Sequence, residues 1–187
     1  GVASNCDGPL VQGQLLQVDL NTHQIVNTYN AVPDGQIGGG IWTSPSVDAS
    51  TNTIYVTTGT KGQDSQTQSQ AVVALDATTL NVKSYWQLPD SEAVGDSDWG
   101  TTPILFTDSA GDQLVAATNK NGTLYAFDRT DLAAGPLWRF QIAIGGACPT
   151  CGQGTVSSLA FMGGVLYAAS GNTTINGIGY EGSVRAL

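Results

Sequence analysis

A phrase that returns at near-regular intervals constrains this chain more than any other feature. Leu16-Gln17-Val18-Asp19, Ala74-Leu75-Asp76-Ala77 and Ala126-Phe127-Asp128-Arg129 close three similar stretches, and Val184-Arg185-Ala186-Leu187 stops where the next Asp is due. The intervals from Asp19 to Asp76, from Asp76 to Asp128 and from Asp128 to Leu187 are nearly equal. Self-similarity of this kind marks a row or ring of one supersecondary unit, because a single unit cannot bury its own apolar face. Small residues lead into the last three units: Thr43-Ser44-Pro45, Thr101-Thr102-Pro103 and Val156-Ser157-Ser158.

Between those landmarks the residues follow the two-residue period of a strand. Thr53–Thr57, Gln113–Ala117 and Val165–Ala169 are equivalent second strands; Ala71–Leu75 and Thr123–Phe127 are third strands; Lys83–Gln87 and Leu137–Gln141 are fourth strands. Asn121-Gly122 and Met162-Gly163-Gly164 carry the glycines that tight hairpin turns need. No stretch has a helical period. Four antiparallel strands per unit is the size of a β-propeller blade. The chain is therefore expected to be all-β, with half a blade at 10–30, blades at 37–90 and 96–144, and most of another at 153–187. Propellers close rings of roughly 4 to 8 blades, so the partners of these blades are expected to be other blades of the same polypeptide.

Composition narrows the function classes. Only 11% of the 187 residues are charged, where an ordinary domain has about 25%, and 24 glycines help fill the gap. Six basic against 15 acidic residues give a net charge of −9, which argues against a nucleic-acid partner. No apolar run approaches the roughly 20 residues of a membrane span. Neither an initiating Met nor a signal peptide opens the sequence, which reads as a mature or trimmed piece. Of the three cysteines, Cys148 and Cys151 have the spacing of a redox pair, half a zinc site or a small disulfide. Pro149 and the flanking Gly145, Gly146 and Gly152 describe a loop, which favours a disulfide closing that loop or bridging one of its sulfurs to Cys6. A disulfide implies a secreted or periplasmic protein. Gly152, not His, follows Cys151, so there is no haem-attachment motif.

The Ala-Leu-Asp-x-x-Thr…Trp and Ala-Phe-Asp-Arg-Thr-Asp…Trp patterns resemble the repeat of the quinoprotein dehydrogenase-like propellers, which usually have eight blades and include alcohol dehydrogenases using pyrroloquinoline quinone (PQQ). Gly38-Gly39-Gly40-Ile41-Trp42-Thr43-Ser44-Pro45 and Asp96-Ser97-Asp98-Trp99-Gly100-Thr101-Thr102-Pro103 make the chain most similar to the polyvinyl-alcohol-dehydrogenase-like branch. The resemblance implies a PQQ-dependent oxidoreductase acting on a small or polymeric alcohol, with Ca²⁺ beside the quinone. Trp42 stands where a tryptophan stacks on the quinone, Lys120 where a strand-end cation contacts it, and Asp98 where the catalytic base lies, with Asp96 next in line. The structural alternatives are a Trp42 packed between blades and a solvated hairpin Lys120. Asp90, Glu92, Asp96 and Asp98 form an acidic loop that either binds Ca²⁺ or is simply wet. One departure stands out: the family's Gly-x-Gly-Asn, whose Asn binds Ca²⁺, reads Thr57-Thr58-Gly59-Thr60 here, which implies a degenerate metal site.

A reading from a different class is a non-catalytic secreted propeller serving as a binding module. Its polar loop, Lys61 to Gln70, would offer hydrogen-bonding side chains, or else be a disordered hairpin insertion.

Overall fold

The computed structural model describes residues 1–4 and 8–187, so Cys6 and any bridge to it lie outside the described residues. Strands β1 (Gln14–Val18) and β2 (Ile25–Asn30) form a two-stranded antiparallel sheet. Strands β3 (Ser46–Asp48), β4 (Thr53–Thr57), β5 (Ala71–Asp76) and β6 (Val82–Gln87) follow as a four-stranded antiparallel meander. Strands β7 (Ile104–Thr107), β8 (Gln113–Thr118), β9 (Thr123–Asp128) and β10 (Trp138–Gln141) repeat it. In the last sheet β11 (Ala160–Met162) and β12 (Val165–Ser170) pair with β15 (Ser183–Ala186). The hairpin of β13 (Thr173–Ile175) and β14 (Ile178–Tyr180) is inserted before β15, an element the repeat pattern did not anticipate. Among the described residues the helical content is three short 3-10 turns, and no helix is long and apolar enough to cross a membrane. The architecture is all-β, of propeller type, and these sheets do not by themselves close a ring.

Face-to-face packing of the sheets explains the sequence pattern. Successive strand residues point to opposite faces, and in β5 both faces are covered. Val72 and Ala74 join one core with Tyr55, Trp99, Tyr125 and Phe127. Ala71, Val73 and Leu75 join another with Leu15, Tyr29, Ile41 and Val56. Strand β9 divides in the same way, with Leu124 and Ala126 entering a third core beside Leu114, Ile142 and Leu166. Such strands read as near-continuous apolar runs, because neither face meets water.

The aspartate that ends each repeat phrase turns the chain at one end of the sheets. Asp19 Oδ1 accepts from the amides of Asn21 and Thr22, Asp76 Oδ1 from those of Thr78 and Thr79, and Asp128 Oδ1 from that of Thr130. Hydrogen bonds from these turns hold all three carboxyls below the ordinary carboxylate range, because they favour the charged form. At the same end Arg129 ties two blades together. Its Nη1 lies 3.1 Å from Asp48 Oδ2, while Nε and Nη2 donate to the carbonyls of Leu114 and Phe106 at 2.9 and 2.8 Å. Tyr55 Oη donates to the Arg129 carbonyl at 2.9 Å from the neighbouring sheet.

Asp48 is 6% exposed and the Arg129 side chain 12%, so removing the carboxylate leaves a largely buried guanidinium with only its two carbonyl acceptors. Asp48→Ala is expected to cost about 3–5 kcal/mol at neutral pH, read by denaturant titration. The Ser50 hydroxyl first, and then Arg129, bring the Asp48 carboxyl down to about 2 from 3.8. A depressed carboxyl stabilises the fold fully above its unfolded value and loses that contribution as pH falls through its folded value. The difference between wild type and variant should therefore shrink as pH drops from about 4 toward about 2.

Candidate functional site

Opposite the aspartate turns, three connections meet at the other end of the sheets. One runs from Gly38 to β3, one follows β6 through Asp98 to β7, and the third is the tight β8–β9 turn carrying Lys120. A backbone hydrogen bond joins the last two, Lys120 N–H donating to the Asp98 carbonyl at 3.0 Å, and neighbouring connections fasten onto them: Gly59 N–H, between β4 and β5, donates to the Gly40 carbonyl at 2.8 Å, and Gly146 N–H, between β10 and β11, donates to the Lys120 carbonyl at 3.0 Å. The Asn119 side-chain amide donates to the Ser97 carbonyl at 2.8 Å and fixes the acidic loop to the hairpin turn.

Lys120 is not a solvated hairpin lysine. It is 8% exposed, its Nζ lies 2.6 Å from Asp96 Oδ2 and 3.5 Å from Asp98 Oδ2, and it stands 5.7 Å from the centre of the Trp42 ring. Nor is Trp42 buried between blades, since 44% of it is exposed. Trp42, Asp98 and Lys120, which the sequence places on three separate stretches, are thus brought to one cluster. Thr60 completes it: its hydroxyl lies 2.6 Å from Asp98 Oδ1 and 3.0 Å from Asp96 Oδ1, and its amide also donates to Asp98 Oδ1. Two glycines make room. A Cβ on Gly59 would sit 2.7 Å from Asp98 Oδ1, and one on Gly100 would sit 2.9 Å from Trp42 Cη2 and 2.7 Å from Val156 Cγ1.

Burial pushes the Asp98 carboxyl above its ordinary value; Thr60 pulls it back, the neighbouring Asp96 charge pushes it up again, and Lys120 lowers it. Burial disfavours a charge and a nearby opposite charge favours it. Burial also pulls the Lys120 ammonium down, but its hydrogen bond to Asp96 and the charges of Asp98 and Asp96 outweigh this and leave it above its ordinary value. An indole face, an ammonium and a carboxyl that holds its proton more tightly than usual can together bind a flat acidic conjugated molecule and accept a proton beside it.

The rest of the acidic loop does not join the cluster. Asp90 pairs with Lys61 at 2.6 Å; Glu92 pairs with Arg139 at 2.6 Å and accepts from Tyr125 Oη at 2.8 Å. The four acids therefore form no common Ca²⁺ loop, and among the described residues no group of three or more His, Cys, Asp or Glu side chains converges. Asp96 and Asp98 with the Thr60 hydroxyl fall short of the roughly 6–8 oxygens that Ca²⁺ takes, and an ammonium already lies between the carboxylates. These residues by themselves do not fit Ca²⁺. The planar acid of a quinone cofactor fits better, because Trp42 offers an exposed ring against Lys120.

The Lys61–Gln70 loop is anchored by its buried Gln66, Ser69 and Gln70, while residues 62–65 and Thr67 are exposed. Gln66, 1% exposed, accepts from Gly62 N–H and Ser69 Oγ and donates to Gln36 Oε1 and the Ile37 carbonyl. Cys148 and Cys151 are bonded to each other, closing the loop that leads back past Lys120. The resemblance marked Asp96 as second in line for the base and Thr60 as the departure from the metal-binding Asn; that Asp96 pairs with Lys120 and that Thr60 bonds to the carboxylates was not legible, because Asp-x-Asp before a strand names no partner.

The sequence profile of the PQQ family, described as "Glucose/ethanol/alcohol dehydrogenase, beta-propeller domain", matches residues 18–141. A polyvinylalcohol dehydrogenase of Sphingopyxis sp. (strain 113P3) is 29% identical over 133 residues, which are 60% of this chain and 20% of that protein. Among solved structures, quinohemoprotein alcohol dehydrogenase from Comamonas testosteroni superposes with a TM-score of 0.65 at 20% identity, covering 86% of this chain and 33% of that one. A europium-containing methanol dehydrogenase does so with a TM-score of 0.68 at 15% identity, covering 93% and 44%. The structural likenesses establish the fold, and the chain spans 20% of the polyvinylalcohol dehydrogenase and less than half of either solved structure.

Gly100→Ala is expected to displace the Trp42 indole at a cost of about 1–3 kcal/mol of overpacking. A changed acrylamide quenching of tryptophan emission, with the far-UV circular dichroism unaltered, checks it.

Proposed function

The chain belongs to the PQQ family of glucose/ethanol/alcohol dehydrogenase β-propeller domains, and from that premise we propose that the full-length protein is a quinoprotein that oxidises an alcohol. The observation that carries this reading is the convergence of Trp42, Lys120 and Asp98 from three separate connections onto one partly open cluster. When bound, PQQ would supply the two-electron acceptor for the alcohol carbon.

The chain's own residues would do the rest. Trp42 presents the ring on which a planar cofactor stacks. Lys120 offers its ammonium to a quinone or carboxylate oxygen. Asp98 takes the hydroxyl proton of the alcohol at its carboxylate, a task suited to a carboxyl whose affinity for the proton is raised. Asp96 touches no open surface and holds Lys120 in place.

The polyvinylalcohol dehydrogenase relative supports a polymeric alcohol as substrate, beside a small one. The disulfide supports a periplasmic or secreted location. The half blade at 10–30, the blades at 37–90 and 96–144, and the part blade at 153–187 would belong to one ring, eight-bladed as in the resembled superfamily. Other blades of the same polypeptide would then be their partners.

Titrating PQQ into the full-length protein, followed by dye-linked alcohol oxidation, tests this reading. Asp98→Asn is expected to bind the quinone and lose about 10²–10⁴ in turnover. Because the base must be ionised, turnover should rise with pH through an acid limb lying above 3.8. Lys120→Met, which removes an influence that lowers Asp98, should move that limb further up. No quinone uptake would overturn the proposal and leave the non-catalytic binding propeller.

A further inference from the structure

We propose that the ammonium of Lys120, anchored by Asp96, is the built-in cation of this site and takes the place of a divalent metal between Asp96 and Asp98. The inference rests on the reading of this cluster as the catalytic one, and it starts from the mismatch between that cluster and Ca²⁺. All four carboxylate oxygens are already engaged. Asp96 Oδ2 and Asp98 Oδ2 face Lys120 Nζ at 2.6 and 3.5 Å, while Asp96 Oδ1 and Asp98 Oδ1 face the Thr60 hydroxyl at 3.0 and 2.6 Å. The Thr60 amide adds a further donor to Asp98 Oδ1.

A divalent ion would have to displace donors that are covalently part of the fold. The side chains of Lys120 and Asp96 are only 10% and 5% exposed. The ammonium therefore cannot swing into solvent without abandoning a buried carboxylate, which is strongly unfavourable. If it stayed, it would lie close beside the incoming metal and repel it. Thr60 adds to the exclusion, since its single hydroxyl proton lies between the two carboxylates, nearer Asp98 Oδ1 at 2.6 Å than Asp96 Oδ1 at 3.0 Å. The cation here is fixed by the chain, and Asp96 acts as its positioning residue. Of the two carboxylates Asp98 is the more exposed, its side chain 16% against 5% for Asp96.

Titration of the full-length protein with Tb³⁺, whose emission nearby tryptophans sensitise, tests this without any turnover assay. Wild type should bind Tb³⁺ no better than Asp98→Asn does. Lys120→Met, with its two carboxylates freed, should bind at least about tenfold more tightly than wild type. Thr60→Asn, which restores an amide carbonyl but keeps Lys120, should match wild type. The proposal is overturned if wild type binds Tb³⁺ in a way that Asp98→Asn abolishes, if Thr60→Asn alone creates a site, or if a folded Lys120→Met gains nothing. Should Lys120→Met fail to fold, the other two comparisons decide. Quinone uptake is measured separately in the same metal-free wild-type protein. Its absence would sink the oxidoreductase reading while leaving the Tb³⁺ result standing, and tight metal binding would do the reverse.

Discussion

Strands β5 and β9 have no face in contact with water, and the rest of the molecule is arranged around that condition. Each is covered by the preceding sheet on one side and the following sheet on the other, so alternate residues of one strand serve two different cores. Burying a Val, Leu or Phe side chain is worth about 1.5–3 kcal/mol, and a lone four-stranded blade would leave half of these side chains wet. Stability therefore comes from stacking blades rather than from any one of them. Small residues such as Ala71, Ala74, Ala116 and Ala126 let adjacent sheets approach, and large ones such as Trp99, Tyr125 and Phe127 fill the space between.

Stacking also decides where function can sit. Once the sheets are face to face, their connections are forced into two groups, one at each end. At one end the side chains are spent on structure: aspartate turns that close hairpins, and Arg129 bridging to Asp48. At the other end most of the connections are longer, the tight β8–β9 turn excepted, and together they gather two carboxylates, one ammonium and one open indole. The charge of Asp96 makes it harder for Asp98 to ionise, and the Lys120 ammonium counters that because an opposite charge favours the charged form. Burying Lys120 between them is costly in desolvation, and is offset by the pairing and by the Thr60 hydrogen bonds. The result is a site whose charges are held by neighbouring blades, so its geometry depends on the same interblade packing as the fold.

Much of this is legible in the sequence. The returning phrase ending in Asp19, Asp76 and Asp128, with the strands between, set out the blades, and the turn chemistry of Asp explains why that residue recurs. The resemblance carried Trp42, Asp98 and Lys120 as candidates, and all three meet. The inserted β13–β14 hairpin was not legible, because its short strands interrupt a unit whose landmark residues lie outside it. The anchoring of the 61–70 loop was hidden for a related reason: Gln66 looks like any polar loop residue until its four hydrogen bonds to Gly62, Ser69, Gln36 and Ile37 are seen.

What the sequence by itself determined is the class of fold, the repeat unit and the residues eligible for chemistry, since period, turn residues and motif spacing are local and survive in one dimension. Only the tertiary structure decided which eligible residues act together. Asp90 and Glu92 were drawn away to Lys61 and Arg139, while Asp96 was drawn to Lys120 across 24 residues of chain. Thr60 was placed against both carboxylates by the stacking of one blade on the next. Those choices follow from burial and from the pairing of charge, and both depend on which segments of chain come to lie side by side.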